Sequence, residues 1–195
     1  MKRVRLILWI LVALAAAGAL YLTTRPTAPI VRSTQMPVSF GGPFTLVDGK
    51  GQPFASGKLA GRPYVAFFGF THCPDVCPTT LARMVKLRRQ LGSDEAFQIV
   101  FITVDPERDG PAEVGAYADL FGAPIIGLTG TRTQIDGVKK DYGIFAEKVG
   151  TGDTYTVDHT ATVLLFDKTQ QFQATIAPDE SDEAALAKLR RLTSG

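Results

Sequence analysis

The chain has 195 residues, with 21 basic against 19 acidic side chains, two cysteines, two histidines and three methionines. That length holds one domain with a real core plus an attached tail, and so few methionines exclude a methionine-rich metal site. Without Lys2, Arg3 and Arg5 there are 18 basic and 19 acidic residues, net −1, so the formal +2 is a topology signal and no nucleic-acid surface is expected.

Leu6 to Leu22 is an unbroken apolar run of 17 residues behind Lys2, Arg3 and Arg5. Positive residues before such a run keep the N-terminus in the cytoplasm and export the C-terminal remainder of the chain. The length sits at the bottom of the spanning range and beyond the usual hydrophobic stretch of a cleaved signal. Ala15-Ala16-Ala17-Gly18-Ala19 does offer small residues for a signal peptidase. The preferred reading is an uncleaved single-pass anchor at 1–22; with no cysteine near its end, a lipoprotein is excluded. Residues 23–39 are rich in Thr, Pro and Ala without periodicity and read as a linker. Residues 40–195 are then the exported domain, in an oxidising space where free thiols persist only if reduced or metal-loaded. It is expected to fold alone as a soluble monomer.

Phe44–Val47, Asp48-Gly49-Lys50-Gly51 and Gln52-Pro53-Phe54 read as a hairpin leading into that domain. Tyr64-Val65-Ala66-Phe67-Phe68-Gly69-Phe70 is continuously apolar and reads as a fully buried strand. From Pro78 to Leu87 the spacing turns helical, with Leu81, Met84, Val85 and Leu87 facing inward and a basic Arg88-Arg89 end.

Between that strand and that helix lies Thr71-His72-Cys73-Pro74-Asp75-Val76-Cys77-Pro78, which holds both cysteines in a C-x-x-x-C spacing. Four residues of helix rise by about 6 Å, so the two sulfurs lie on one side, one above the other. Two thiolates so placed suit a soft metal ion such as Cu(I). They are also within bridging range for a disulfide, so metal binding and redox chemistry are both open. A helix N-terminus carries partial positive charge and is expected to favour thiolate over thiol. A structural disulfide or two quiet core cysteines is the plainer reading, disfavoured by the prolines that follow each cysteine at a helix start.

Gln98 to Val104 is a second buried strand, Pro111 to Phe121 a helix opened by proline, and Ile125 to Leu128 a short apolar strand. Thr131 to Tyr142 reads as an amphipathic helix, Thr160–Phe166 and Phe172–Ile176 as a late strand pair, and Asp182 to Leu192 as a terminal helix with Ala185, Leu186, Leu189 and Leu192 on one stripe. Strands alternating with helices, then a hairpin and a helix, is the order of a thioredoxin-like α/β sheet with additions.

Phe68-Gly69-Phe70-Thr71-His72-Cys73-Pro74-Asp75-Val76-Cys77-Pro78 resembles the signature of the Sco/SenC family. Val104-Asp105-Pro106-Glu107-Arg108-Asp109, Gly127-Leu128-Thr129-Gly130-Thr131 and Val157-Asp158-His159-Thr160 match further blocks of it in order, so the likeness covers Phe44 to Ile176. A lone C-x-x-x-C would be weak evidence; four ordered blocks are specific. The resemblance implies a thioredoxin-like fold that binds one copper ion, Cu(I) or Cu(II), through Cys73, Cys77 and His159. It further implies a metallochaperone that helps assemble the dinuclear copper centre of cytochrome c oxidase. Its partner would be the oxidase's copper-bearing subunit, another copper chaperone, or both. The setting would be a bacterial inner membrane with the domain in the periplasm.

Chemistry agrees with that ligand set, because a neutral imidazole added to two sulfurs serves both copper oxidation states. His159 is expected at the entrance of the strand Thr160–Phe166, where the fold resemblance places the residue facing the cysteines. His72 adjoins Cys73, yet adjacent residues point apart and the resemblance assigns it no ligand role, so it is read as a non-ligand. Both histidines with both cysteines would suit zinc by ligand type, but the spacing fits no compact zinc knuckle. Asp75 is expected to cap the helix, Asp158 to lack direct contact with His159, and Asp105-Pro106-Glu107-Arg108-Asp109 to be a charged turn holding the next helix. The alternative function is a thiol–disulfide oxidoreductase that reduces the copper-ligand cysteines of the oxidase subunit, with Cys73 and Cys77 as the redox pair. A peroxiredoxin-like activity shares the fold, but its Thr-x-x-Cys pattern is not clearly met.

Overall fold

In the computed structural model, residues 40–194 are described, together with Arg5, Trp9, Leu14 and Tyr21, which are helical. The anchor and linker expected over 1–39 otherwise lie outside the described residues. Among the described residues no helix is long and apolar enough to cross a membrane. Contacts divide the chain into a unit over Met1–Val38 and one over Ser39–Gly195, and the second unit carries the sheet and both cysteines.

The centre of that second unit is a seven-stranded mixed sheet in the order β2-β1-β5-β4-β3-β8-β9. The strands are β1 (Thr45–Asp48), β2 (Pro53–Ala55), β3 (Tyr64–Gly69), β4 (Gln98–Thr103), β5 (Ile126–Thr129), β8 (Val163–Phe166) and β9 (Phe172–Ile176). Every residue of β3 and β4 is buried, which is why their centres, Tyr64–Phe68 and Ile99–Ile102, read as apolar runs rather than alternating ones. The two pair in parallel from Tyr64↔Gln98 to Gly69↔Thr103, and β8 runs antiparallel along the other side of β3. The hairpin β1–β2 extends the opposite edge by pairing antiparallel with β5.

Four helices accompany the sheet: α1 (Val76–Gln90), α2 (Pro111–Asp119), α3 (Arg132–Asp141) and α4 (Asp182–Thr193). Because β3, β4 and β5 are parallel and successive, the right-handed crossover rule puts α1 and α2 on one face. Arg88 confirms that closeness, donating from the buried end of α1 to the Pro124 carbonyl at 2.9 Å. Of the basic Arg88-Arg89 helix end, Arg88 is only 1% exposed. On α1 the side chains of Leu81, Met84, Val85 and Leu87 are buried as the spacing requires. Arg83 and Lys86 of α1 both pair with Asp182 at the start of α4. On α4, Ala185, Leu189 and Leu192 are buried, with Leu186 half-buried at the margin.

A separate two-stranded sheet joins β6 (Ala146–Val149) to β7 (Thr156–His159). This hairpin is absent from the sequence reading because β6 lacks an apolar alternation: Glu147, Lys148 and Val149 are all exposed. It corrects the position expected for His159. The histidine closes β7, and Thr160-Ala161-Thr162 separate it from β8, whose first residue is Val163.

Candidate metal centre

The site gathers where β3 and β4 end, at the carboxyl edge of parallel strands, where α/β folds commonly place their sites. After Gly69 the chain turns through Phe70 to Asp75 and enters α1 at Val76, two residues before the expected start at Pro78. The turn is closed by Cys73 N–H donating to the Phe70 carbonyl at 3.2 Å. Cys77 is therefore in the first turn of the helix and wholly buried, while Cys73 is half-buried on the loop ahead of it. The Cys77 N–H donates to Cys73 Sγ at 3.4 Å, so a free amide of the helix start is spent on the other sulfur.

Gly69 makes room for this packing. A Cβ there would stand 2.8 Å from Cys77 Sγ and 3.1 Å from both Phe101 and Phe67. A side chain at the end of β3 and the buried sulfur exclude each other.

His159 comes to the sulfurs from the end of β7. Its Nε2 lies 3.4 Å from Cys77 Sγ, and its Nδ1 lies 3.1 Å from the Thr160 carbonyl. A carbonyl only accepts, so Nδ1 carries the proton and Nε2 turns its lone pair toward the sulfur. The rings of Phe70 and Phe67 meet the imidazole edge-on at 5.8 and 6.1 Å. Burial pulls the His159 pKa below its ordinary value, against the opposing hydrogen bond to Thr160 and the charge of Asp158. No hydrogen bond joins Asp158 to His159 among the described residues; Asp158 is exposed on the other side of β7, as strand alternation requires.

Cys77 overturns one expectation. Burial pushes its thiol far above the ordinary value, assisted by Cys73 and Asp109 and only partly opposed by a hydrogen bond from the Phe70 backbone. Desolvation in a closed apolar pocket outweighs the partial charge of one helix end, so without metal Cys77 is a thiol that donates to His159 Nε2. A metal ion would displace that proton.

Cys73, Cys77 and His159 each offer one donor atom, and these atoms lie within 4.8 Å of one another. Metal–sulfur and metal–nitrogen bonds of about 2.0–2.3 Å place trigonal donors about 3.7 Å apart, so the trio closes on an ion with shifts of about an ångström or less. Two soft sulfurs and one imidazole fit copper by donor chemistry.

His72 is outside the cluster. Its Nδ1 lies 3.0 Å from Thr71 Oγ1 and 3.6 Å from Asp109 Oδ1, and it is not among the donors that converge with the sulfurs. Asp75 holds the residue position ahead of α1 but makes no side-chain cap bond to its backbone; its carboxylate instead accepts from Thr79 Oγ1 at 3.3 Å.

The residue that sequence reasoning underrated is Asp109. Its buried carboxylate accepts from Thr71 N–H at 2.9 Å, from Thr71 Oγ1 at 2.6 Å and from Thr103 Oγ1 at 2.6 Å. The charged turn therefore does more than start α2: Asp109 ties the cysteine loop to the end of β4. Beyond its place in the family-like block Val104–Asp109, the signal was an acidic residue after a buried strand that ends in threonine, too common a pattern to assign a role.

The SCO1/SenC family model matches residues 32–194 of this chain. The chain belongs to the SCO1/SenC family. Among SCO1/SenC structures, Bradyrhizobium japonicum ScoI with copper bound is 40% identical and superposes with a TM-score of 0.71, covering 79% of this chain and 99% of that one. Yeast Sco1 with copper bound is 33% identical with a TM-score of 0.73, covering 80% and 90%. A SCO2-like protein of Rickettsia felis is 34% identical over 91% of both chains. The mitochondrial SCO2 protein of Saccharomyces cerevisiae is 36% identical over 158 residues, 78% of this chain and 52% of that protein. The mixed sheet described above is thus the fold of Sco proteins solved with copper.

Proposed function

We propose that this protein binds one copper ion through Cys73, Cys77 and His159 and hands it on as a metallochaperone. The observation that carries the reading is the convergence of those three donors, drawn from a loop, a helix start and a strand end, within 4.8 Å. Copper-bound relatives of the same fold at 40% and 33% identity support it.

Copper here is cargo, so the site must hold it and also release it. Cys77 is enclosed, whereas Cys73 and His159 are half-buried. A recipient's ligands reach Cys73 and His159 first, and Cys77 remains the last attachment. Two thiolates alone retain Cu(I), while Cu(II) gains from the imidazole. The exposed side chains of Val76 beside Cys77 and Phe145 beside β6 offer an apolar rim for a protein recipient. By the family resemblance that recipient is the copper-bearing subunit of cytochrome c oxidase or another copper chaperone in its assembly.

The proposed setting is a bacterial inner membrane with residues 1–22 as anchor and 40–195 in the periplasm. Fractionation with protease digestion from the periplasmic side tests it; quantitative release into the soluble periplasm would show cleavage instead.

The deciding experiment on function is copper stoichiometry and absorption of the soluble fragment, loaded reduced and oxidised, alongside its disulfide potential. One ion per chain with a sulfur-to-copper band in the oxidised form is expected. A second reading, thiol–disulfide exchange with the oxidase subunit, draws on one feature: both cysteines are free, one accessible and one buried. Failure to take up copper together with efficient reduction of a partner disulfide would favour it.

A further inference from the structure

His159 reaches the sulfurs on the β6–β7 hairpin, and the hairpin is fastened at Tyr155, the residue before β7. The Tyr155 hydroxyl donates to Asp105 Oδ1 at 2.6 Å, and its carbonyl accepts from Arg108 Nη1 at 2.9 Å. Its ring lies between the Arg108 guanidinium and the ammonium of Lys148 on β6, each 3.6 Å from the ring centre. Arg108 is itself fixed by Asp105 Oδ2 at 2.5 Å and lies 5.9 Å over the ring of Phe70, which in turn meets His159 edge-on at 5.8 Å. Burial and the bond to Asp105 push the Tyr155 pKa up to about 12, so the hydroxyl stays a donor throughout the working range.

The opposite end of the same five-residue turn holds the other arm of the site. Asp109 accepts from the Thr71 amide and hydroxyl two residues ahead of Cys73. One rigid bracket, Asp105 to Asp109, thus grips the histidine arm through Asp105 and Arg108 and the cysteine arm through Asp109. Asp105 is buried and its amide donates to the Thr103 hydroxyl oxygen at 2.9 Å, which joins the bracket to the end of β4.

We propose that Tyr155 and Arg108 are positioning residues that clamp the hairpin to the Asp105–Asp109 turn and thereby hold His159 against Cys77 and Cys73. The proposal rests on the copper reading above. Neither residue touches the metal; each acts through the hairpin. Since two thiolates keep Cu(I) without the imidazole, loosening the clamp weakens Cu(II) binding selectively.

The test compares the wild type with Tyr155→Phe and Arg108→Lys by hydrogen exchange of the metal-free protein and by Cu(I) and Cu(II) affinity. Tyr155→Phe keeps the ring and both cation contacts and removes only the bond to Asp105. Loss of one hydrogen bond to a charged acceptor should speed exchange of the 146–159 amides by about tenfold and lower Cu(II) affinity by a similar factor. Cu(I) affinity should stay within about twofold, and the sulfur-to-copper band of the Cu(II) form should shift. Unchanged exchange, or faster exchange with wild-type Cu(II) affinity, would overturn the proposal. So would an equal loss of Cu(I) and Cu(II), or failure of both variants to fold, since either makes the bracket a general scaffold. If the wild type takes up no copper, the copper reading falls and the exchange arm decides the clamp alone, unchanged exchange again refuting it.

Discussion

Cys77 Sγ and His159 Nε2 stand 3.4 Å apart although 82 residues separate them along the chain. The contact joins the first turn of α1 to the end of β7, with the thiol proton shared toward a bare imidazole nitrogen. It is the hydrogen bond that a metal ion would replace, and the behaviour of the site turns on it.

Replacing His159 by Ala should leave the fold intact and keep Cu(I) on Cys73 and Cys77. Cu(II), which prefers imidazole over two thiolates alone, should lose much of its affinity and change its charge-transfer colour. Cys73→Ser or Cys77→Ser should abolish binding of both ions, and His72→Ala should do little, because its ring is held by Thr71 and faces Asp109. Titration with each ion, followed by absorption, measures this. Wild-type Cu(II) affinity and spectrum in His159→Ala would move the assignment to thiol–disulfide exchange.

Gly69→Ala puts a methyl 2.8 Å from Cys77 Sγ and 3.1 Å from two phenylalanine rings in fully buried surroundings. Overpacking of this kind costs about 1–3 kcal/mol, and the group that yields most easily is the sulfur. We expect a lower melting temperature together with weakened binding of both copper ions. A variant with wild-type copper affinity would show that the pocket expands away from the sulfur instead.

Asp109→Ala should be among the more damaging substitutions in the domain. It leaves the part-buried Thr71 amide and hydroxyl and the buried Thr103 hydroxyl without their acceptor. Stranding several such donors costs about 2–4 kcal/mol. Chemical denaturation gives the loss directly, and faster alkylation of Cys73 in the folded variant would report the released loop. A stability within about 0.5 kcal/mol of wild type would refute the role given to this carboxylate.

Acid should destabilise the metal-free protein in a window set by His159. Its folded pKa is depressed below the ordinary 6.5 by burial, so its contribution is present above that value and lost as pH falls through the folded pKa. Carboxylates held low by their partners, such as Asp182 beside Lys86 and Arg83, act only below the ordinary 3.8 of an aspartate. Urea melts from about pH 7 to about pH 5 should therefore show falling stability in the wild type and a flatter profile in His159→Gln. Parallel profiles for the two proteins would rule out His159 as the source.

Much of the fold was legible because burial leaves a mark on composition. Strands β3 and β4 are covered on both faces and so carry apolar runs, Tyr64–Phe68 and Ile99–Ile102, and α1 and α4 carry their buried side chains at helical spacing. The cysteine pair announced itself through its C-x-x-x-C spacing, although the helical-turn geometry expected for both holds only for Cys77: Cys73 lies on the loop before α1, and the Cys77 N–H donating to its sulfur keeps the two close. The β6–β7 hairpin was not legible, because three of the four residues of β6 face solvent and no periodicity survives. The state of Cys77 was misjudged for a related reason: the helix end is a local feature, but the desolvation that overrides it is supplied by residues distant in sequence.

The linear chain by itself determined which donor atoms exist, two thiols four residues apart and a scarce pair of histidines, together with the sheet core that carries them. The family resemblance already pointed to His159; tertiary structure alone decided how it reaches the sulfurs, on which nitrogen its proton sits, and that Asp105 and Asp109 of one turn hold the two arms in place. The nearness of the two cysteines follows from the few bonds between them along the chain, closed by the Cys77 amide on the Cys73 sulfur. Convergence of groups 82 residues apart depends on the register of β7 and on hydrogen bonds that form only when the sheet and hairpin pack together.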